Sequence, residues 1–508
     1  MDHVLCGLAA NAALPFELVG RLIAVADADI AESLAGRPDL SREQAVDLVA
    51  RVEESAVRLA YEGRLTAADV DPVAQPQAAL ALLNEGSGDL EWARLFAEDS
   101  DAECREKLAA CPGLPADIQA MLADDLDVRV VAELALWATA DVAARLAWHP
   151  HAEVRRAVAA NEATPPEVLA MLITGEGLPP AERCSVCDTE ETPFVHDPQC
   201  PRLDCDLWPG ASCDGSHEST ADEMAEQALR NPATPVEALL RFVEHRSTLL
   251  RSRLAARPGL PPLVGMRLTG DSVPRVRAEL AENPTIDDVL IRALAADRGH
   301  DVQRRLAYNL RVPLDVLVGL AATVRVGSAL LPRIAAASPV EVEELSRSSN
   351  PVVRMLLAER RDLPPEIRDV LAADLDAKVA KSIAPHPGLS EDQLRTMVSR
   401  HGVRVVAKVA ANPDASPALL EDLTRHVPPV RKALREVARH RAATGPALRA
   451  CLADRRARPI AAGHPALPPQ AIVELLADDD WQVVEAAAAN PSLPQAVMAE
   501  LVAEASGG

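Results

Sequence analysis

The chain has 508 residues and a formal net charge of −24 at pH 7, and 48% of its residues are hydrophobic but only 2% aromatic. That length exceeds one ordinary core and indicates several domains or an elongated repeat array. The acidic charge repels phosphate backbones and anionic lipid, so we expect neither nucleic acid nor a membrane surface as a partner. The chain shows neither a long uncharged apolar run nor a signal-peptide pattern at its start, and we expect a cytoplasmic protein.

A segment of about 26 residues recurs along the chain. We call the residue at its Asn-Pro step the anchor; Asn231, Asn283 and Asn490 are typical, and Asn161, which Glu162 follows, stands at the equivalent place. A fixed period of this length is typical of solenoids, in which each unit buries its apolar face against its neighbours. The pattern predicts an N-terminal repeat block at residues 1–173, a cysteine-rich insert at 174–220 and a C-terminal repeat block at 221–508.

The first helix of each repeat is predicted to begin at a capping box. In Thr164–Glu167 and Thr234–Glu237 a threonine would cap the helix, a proline would occupy its start and a glutamate would reach back. Ser41–Gln44 and Ser390–Gln393 repeat this pattern with glutamine in place of glutamate.

The second helix is predicted to be shorter and to end at the anchor, where asparagine would adopt the left-handed conformation. Apolar residues stand seven and three positions before the anchor, as Val276 and Leu280 do, and lie on one helical face. So short a helix needs stacking to be stable. We expect the arginine after the first apolar position to face an acidic turn of a neighbouring repeat; this series is Arg105, Arg155, Arg251, Arg277 and Arg354.

The combination of Asn-Pro, a following Pro-x-Glu and an Asp-x-x-Val-Arg element resembles the leucine-rich-repeat variant (LRV) family. The resemblance covers most of the chain and is weakest between Glu62 and Ala110. It implies a right-handed superhelix that alternates α-helices with 3-10 helices. We therefore predict an all-α protein, a right-handed α-solenoid of about 18 two-helix repeats in which the second helix is a short α- or 3-10 helix.

The insert contains ten acidic residues and two arginines between Thr174 and Thr220, and it has few aliphatic residues. Such a segment needs something other than an apolar core to fold it. A Cys-x2-Cys pair places two thiolates together, and a second pair can complete a zinc site or an iron–sulfur site. We expect a metal rather than disulfides, because a chain without a signal peptide meets a reducing compartment. The candidate ligands are four of Cys184, Cys187, Cys200, Cys205 and Cys213, with His217 as a substitute.

Two resemblances favour an iron–sulfur cluster. The LRV family combines its repeats with a cysteine-rich segment that binds a 4Fe–4S cluster, although that segment precedes the repeats. Residues Cys213 to His217 read Cys-Asp-Gly-Ser-His, which resembles the CDGSH iron–sulfur domains, where Cys and His bind a 2Fe–2S cluster. A 4Fe–4S or 2Fe–2S cluster is therefore expected, and a structural zinc ion is the alternative.

The chain contains no glycine-rich phosphate loop, no Gly-x-Ser-x-Gly element and no His-Glu-x-x-His element. We therefore expect a non-enzymatic interaction scaffold that binds a protein partner in the concave groove of its repeats and carries the cluster in its insert. One alternative is a redox sensor or electron-transfer protein that uses the cluster. The other is a purely scaffolding solenoid with a structural zinc site.

Overall fold

The computed structural model of the chain describes residues 2–188, 218–327 and 329–506. Within these ranges the secondary structure is helical, and an isolated bridge between His151 and Arg183 is the one β-type pairing. The predicted all-α class is confirmed, whereas the right-handed solenoid form and the number of repeats stay predictions. None of the described helices combines the length and the apolar character needed to cross a membrane.

The helices follow one another along the whole described chain. Their bounds are α1 Asp2–Ala10, α2 Phe16–Ala24, α3 Ala28–Ala35, α4 Arg42–Arg51, α5 Ser55–Tyr61, α6 Pro76–Asn84, α7 Glu91–Ala97, α8 Ala102–Ala109, α9 Ala116–Ala123, α10 Val128–Trp137, α11 Ala140–Leu146, α12 Ala152–Ala160, α13 Pro166–Thr174, α14 Ser185–Asp188, α15 Glu218–Arg230, α16 Val236–Leu239, α17 Thr248–Ala256, α18 Pro262–Thr269, α19 Pro274–Glu282, α20 Asp288–Ala295, α21 His300–Leu306, α22 Leu314–Thr323, α23 Pro332–Ala335, α24 Pro339–Ser346, α25 Pro351–Leu357, α26 Pro365–Ala372, α27 Ala377–Ile383, α28 Glu391–His401, α29 Val406–Ala410, α30 Pro417–Thr424, α31 Arg431–Arg439, α32 Gly445–Cys451, α33 Arg458–Ala462, α34 Pro469–Leu475, α35 Trp481–Ala488 and α36 Gln495–Ser506. Short 3-10 helices lie at Ala67–Asp69, Leu240–Phe242 and Gly402–Arg404.

The chain forms two compact units. Unit 1 comprises Met1–Ala78, Gly327–Leu330 and Ala337–Gly508, and unit 2 comprises Ala79–Val326 and Leu331–Ala336. In both units the second helices of successive repeats pack side by side, as α17 with α19 in unit 2 and α33 with α35 in unit 1. The predicted division of the chain at the cysteine-rich insert stays a prediction.

The apolar positions of the second helix form the core, as predicted. Val276 and Leu280 are completely buried, and the equivalent Val379 and Ile383 of unit 1 are too. The second helix is not the shorter one in every repeat, however: α21, with 7 residues, is shorter than α20, with 8, whereas α10, with 10 residues, is longer than α9, with 8. The neighbouring second helices α8 and α12 pack on the two sides of α10.

Two of the four predicted capping boxes are present and two are not. Ser41 with Gln44 and Ser390 with Gln393 form reciprocal capping boxes. Thr164 does not cap its helix: Pro165 is the N-cap of α13, and the Thr164 hydroxyl donates to the backbone oxygen of Val158 at 2.6 Å. Thr164 is 1% exposed, so its hydroxyl needs a hydrogen-bond partner, and the end of the preceding helix provides one. In the same way the Thr234 hydroxyl donates to the carbonyl of Ala228 at 2.7 Å.

The anchor asparagines do not adopt the predicted left-handed conformation. Asn161 has φ −69° and ψ 120°, which is extended backbone. Asn283 shows what the side chain does instead: its Nδ2 donates to the backbone oxygens of Ala255 at 2.8 Å and Arg257 at 2.6 Å, in the preceding repeat. Its Oδ1 accepts the backbone N–H of Thr285 at 3.0 Å. The anchor is therefore a hydrogen-bonded connection between neighbouring repeats rather than a left-handed helix end.

Four arginines of the predicted series meet an acidic turn. Each has its Nε 2.6–2.7 Å from a carboxylate oxygen twenty residues later in the chain; the pairs are Arg105–Asp125, Arg251–Asp271, Arg277–Asp297 and Arg354–Asp374. Both partners are mostly buried, which strengthens such charge-assisted hydrogen bonds. Arg155 is different, because Gly175 stands twenty residues after it.

Candidate metal centre

The repeats on either side of the cysteine-rich insert are direct neighbours. Asn231 donates from Nδ2 to the backbone oxygens of Ala159 at 3.1 Å and Asn161 at 2.8 Å, although 70 residues separate the two anchors. This is the arrangement that anchors about 26 residues apart make elsewhere, and α15 packs along α12 in the same way. The insert therefore interrupts the sequence of repeats but not their packing.

The first part of the insert lies along the beginning of α12. The backbone N–H of Glu182 donates to the oxygen of Pro150 at 2.8 Å, and the N–H of Ala152 donates to the oxygen of Arg183 at 2.8 Å. These backbone hydrogen bonds fix the chain immediately before Cys184, the first predicted metal ligand.

Side chains fix the short helix α14 to the same place. His151 accepts the backbone N–H of Glu153 at Nδ1, so its Nε2 carries the proton and donates to Oδ2 of Asp188 at 2.9 Å. The Ser185 hydroxyl donates to Oε1 of Glu153 at 2.6 Å. The hydrogen bond from His151, with a further one from Arg183, holds the pKa of Asp188 below its ordinary value. Asp188 is thus an ionised, doubly hydrogen-bonded fixing point for the insert.

Glu153 stays ionised in a half-buried position. Burial alone would raise the pKa of Glu153, but hydrogen bonds from Ser185 and Arg156 hold it below its ordinary value. Desolvation has the opposite effect on a base, and it lowers the pKa of the nearby His149. The neighbourhood of Cys184 therefore combines ionised carboxylates with a histidine that burial keeps neutral.

Of the predicted ligands, Cys184 is the one whose side chain the structure describes, and it is 1% exposed. Cys187 lies in α14, but its side chain is outside the described residues, as are Cys200, Cys205, Cys213 and His217. Within the described ranges, no three His, Cys, Asp or Glu side chains are grouped so that they could hold a metal ion. The predicted ligand set stays a prediction.

Three of the four cysteines outside the insert are core residues. Cys104 and Cys111 are buried, and burial raises the pKa of the Cys111 thiol to about 11. Cys451 is completely buried, with a pKa raised to about 12 by desolvation. Thiols with such pKa values stay protonated and are poor metal ligands and nucleophiles.

The role of His151 was not predicted from the sequence. His151 is the N-cap of α12, a position at which Asp101 caps α8 and Asp127 caps α10. An aspartate at this position can only accept hydrogen bonds, whereas histidine accepts one with Nδ1 and donates another with Nε2. The change of residue type at this register position is the signal that a search of the repeats for exceptions would have found.

Neither a family model nor a curated protein matches this chain. Among solved structures, the chain is similar to the crystal structure of an engineered protein from the Northeast Structural Genomics Consortium. The two share 15% sequence identity over 96% of this chain and 92% of that one, with a TM-score of 0.14.

Proposed function

We propose that the protein is a non-enzymatic scaffold that binds a protein partner and carries an iron–sulfur cluster in its cysteine-rich insert. The observation that carries this proposal is the direct connection of Asn231 to Asn161 across the insert. Because the neighbouring repeats complete their own packing, the insert is an added module and not a structural link between repeats.

The composition of the module supports a metal as its folding element. Its ten acidic residues and few aliphatic ones cannot form an ordinary core, whereas metal binding supplies folding free energy directly. Cys184, the first proposed ligand, is buried, and the hydrogen bond between His151 and Asp188 holds the adjacent helix α14 in place. The proposed ligands are four of Cys184, Cys187, Cys200, Cys205 and Cys213, with His217 as the substitute. A bound cluster would supply one-electron chemistry at this place.

Exposed apolar side chains beside the base of the insert support a protein partner. Leu126 is completely exposed and shares the wall of a surface cavity with His149 and Asp188. Trp148, the residue before His149, is 52% exposed. Large apolar side chains that stay in water next to a fixed polar cluster are typical of surfaces that bind other proteins.

The cluster is tested by anaerobic purification, with a visible spectrum and measurements of iron, acid-labile sulfide and zinc. We expect iron, sulfide and broad visible absorption that disappear in Cys184→Ser/Cys187→Ser and persist in Cys451→Ala, a matched change at a buried cysteine of α32. Stoichiometric zinc without iron would overturn the iron–sulfur proposal in favour of a structural zinc site. Absence of every metal would overturn both.

The modular character of the insert is tested with the same double variant. We expect protease to cut Cys184→Ser/Cys187→Ser within the insert, while far-ultraviolet circular dichroism stays close to that of the wild type. A global loss of helicity would show that the insert holds the repeats together.

The partner surface is tested with a pair of equivalent leucines. Leu126 and Leu375 each follow the aspartate that pairs with an arginine, and both are largely exposed. A partner captured by the wild type and identified by mass spectrometry should bind Leu126→Asp about tenfold more weakly or worse, since a charge would enter an apolar contact. Leu375→Asp should bind it normally; equal binding by both variants would exclude the surface at Leu126.

A further inference from the structure

In four repeats an arginine of the second helix holds a carboxylate with two nitrogen atoms. In the pair of Arg277 with Asp297, Nε lies 2.6 Å from Oδ2 and Nη2 lies 3.1 Å from Oδ1. The third nitrogen, Nη1, donates to the backbone oxygen of Asp271 at 2.6 Å, six residues before the arginine. Each of the three nitrogen atoms of this buried guanidinium therefore has an acceptor, as a buried arginine requires.

Arg155 occupies the same position in α12, but among the described residues no carboxylate forms a hydrogen bond with it. Its Nε donates to the oxygen of His149 at 2.6 Å, six residues before it, and its Nη1 donates to the oxygen of Pro179 at 2.8 Å. Its Nη2 is buried and has no hydrogen-bond partner within the described ranges, and the residue is 6% exposed overall. Burial lowers the pKa of Arg155, and the charge of Glu182 offsets this effect only in part. A buried donor without an acceptor is costly, and an acceptor from a ligand would remove that cost.

The space that the missing aspartate would fill is open. Gly175 stands twenty residues after Arg155 and has φ +72°, and a Cβ atom added to it would meet no atom within 4 Å. Gly175 and Arg155 both line a cavity of about 550 Å³, a size typical of small-molecule sites. Among the described residues that line this cavity, Arg155 bears the only charge, and most of the others are apolar.

The core is incomplete at this cavity. Met224 stands seven positions before the anchor Asn231, where the equivalent Val276 and Val302 are completely buried. Met224 itself is only half-buried and lines the cavity together with Leu172 and Leu178. An apolar surface is therefore available next to the guanidinium.

We propose that this cavity binds a small organic monocarboxylate with an apolar tail. The carboxylate takes the place of the missing aspartate between Arg155 and Gly175, and the tail lies against Leu172, Leu178 and Met224. The guanidinium turns to the arrangement of Arg277, so that Nη1 donates to the oxygen of His149 and the Nε–Nη2 edge faces the ligand.

The charge balance selects a carboxylate over a phosphate. A single arginine neutralises a monoanion, whereas a phosphate monoester would leave negative charge unpaired in a chain of net charge −24. The flat edge of the guanidinium also matches the two oxygens of a carboxylate, and the sibling repeats bind that group in their own aspartates.

The test is titration calorimetry of the full chain with octanoate, and with octanamide as the uncharged control. We expect octanoate to bind and octanamide to bind about tenfold more weakly or not at all. Arg155→Met should weaken octanoate binding by a similar factor, because methionine keeps an extended side chain but removes the charge. Gly175→Asp should also weaken it, because it places a carboxylate of the chain itself beside Arg155.

Two variants are the matched controls. Gly175→Ala imposes the same backbone conformation on a non-glycine residue without adding a charge, and it should keep the octanoate affinity. Arg251→Met removes the equivalent arginine of another repeat and should keep it too. If Arg155→Met does not fold, the comparison of octanoate with octanamide and the Gly175→Asp variant decide the question. Absence of octanoate binding, equal affinity for octanamide, or wild-type affinity in Gly175→Asp would overturn the proposal.

Discussion

Asn11 donates from its side-chain Nδ2 to the backbone oxygens of Ala488 at 2.8 Å and Asn490 at 2.9 Å, almost at the other end of the chain. These acceptors are an anchor and the residue two positions before it. Asn283 donates to the equivalent two positions of its own preceding repeat, Ala255 and Arg257. Helix α1 packs along α35 within unit 1. The first repeat therefore follows the last one in the packing of this unit, and it covers an apolar surface that a terminal repeat would otherwise expose.

Asn11→Ala should loosen both ends of the chain. Its removal leaves two buried carbonyls without a donor, which costs about 1–3 kcal/mol. In hydrogen exchange we expect faster exchange in α1 and also in α35, more than 470 residues away. Asn283→Ala is the matched comparison, because it removes the same hydrogen bonds within unit 2 and should affect only its neighbours there. Faster exchange in α1 alone would show that the contact with α35 contributes nothing.

Leu280→Ala should have a local effect. Leu280 is completely buried in α19, and the truncation of such a leucine typically costs about 2–5 kcal/mol. Because repeats are coupled mainly to their neighbours, peptides around Arg257, Asn283 and Asn309 should exchange faster while those around Asn490 stay protected. A uniform loss of protection along the chain would mean that it unfolds as one cooperative body.

His386→Asn should reduce the loss of stability in acid. His386 is a buried anchor whose Nε2 donates to the oxygen of Ala358 at 2.8 Å, and burial lowers its pKa below 6.5. As the pH falls, His386 therefore takes up a proton in the unfolded chain at a higher pH than in the folded chain. Its contribution to the free energy of unfolding is complete above about pH 6.5 and is lost as the pH falls towards its folded pKa.

Asparagine keeps the donor of His386 without titrating, as Asn412 shows in the next repeat. Urea unfolding of His386→Asn at about pH 7 and about pH 5 should show a smaller difference than that of the wild type. His300→Asn, a change at an exposed histidine, is the control. An unchanged difference in His386→Asn would contradict the prediction.

Asp222→Asn should stabilise the protein at neutral pH. Asp222 lies in α15, and its buried Oδ2 has no hydrogen-bond partner in the part of the chain that the structure describes; burial raises its pKa from 3.8 to about 6. A carboxyl group with a raised folded pKa destabilises the folded state as the pH rises from about 4 through about 6.

The amide removes that charge, so the free energy of unfolding should rise by about 1–3 kcal/mol near pH 7. The gain should vanish near pH 4, where the wild-type carboxyl is itself protonated in the folded state. Asp479→Asn, at an exposed turn, should change little at either pH. A stabilisation that persists in acid would show that the charge of Asp222 is not its cause.

The features that recur in each repeat follow from the amino-acid sequence alone. The spacing of Val276 and Leu280 gave the buried face of the second helix, and Ser390 with Gln393 gave a helix start. The arginine series predicted the contacts with acidic turns, because a residue pattern repeated every 26 positions brings the same two groups together in successive repeats. Such features follow from local spacing, which the sequence contains completely.

The tertiary structure alone decided which backbone groups the polar side chains reach. Asn161 is extended instead of left-handed because its side chain donates to a buried carbonyl of the preceding repeat, and Thr164 turns away from its helix to a buried carbonyl six residues earlier. The partners of Asn231 and Asn11 lie across the insert and at the far end of the chain. No sequence spacing encodes such distances: they exist because apolar faces of separate segments pack together and leave their carbonyls needing donors.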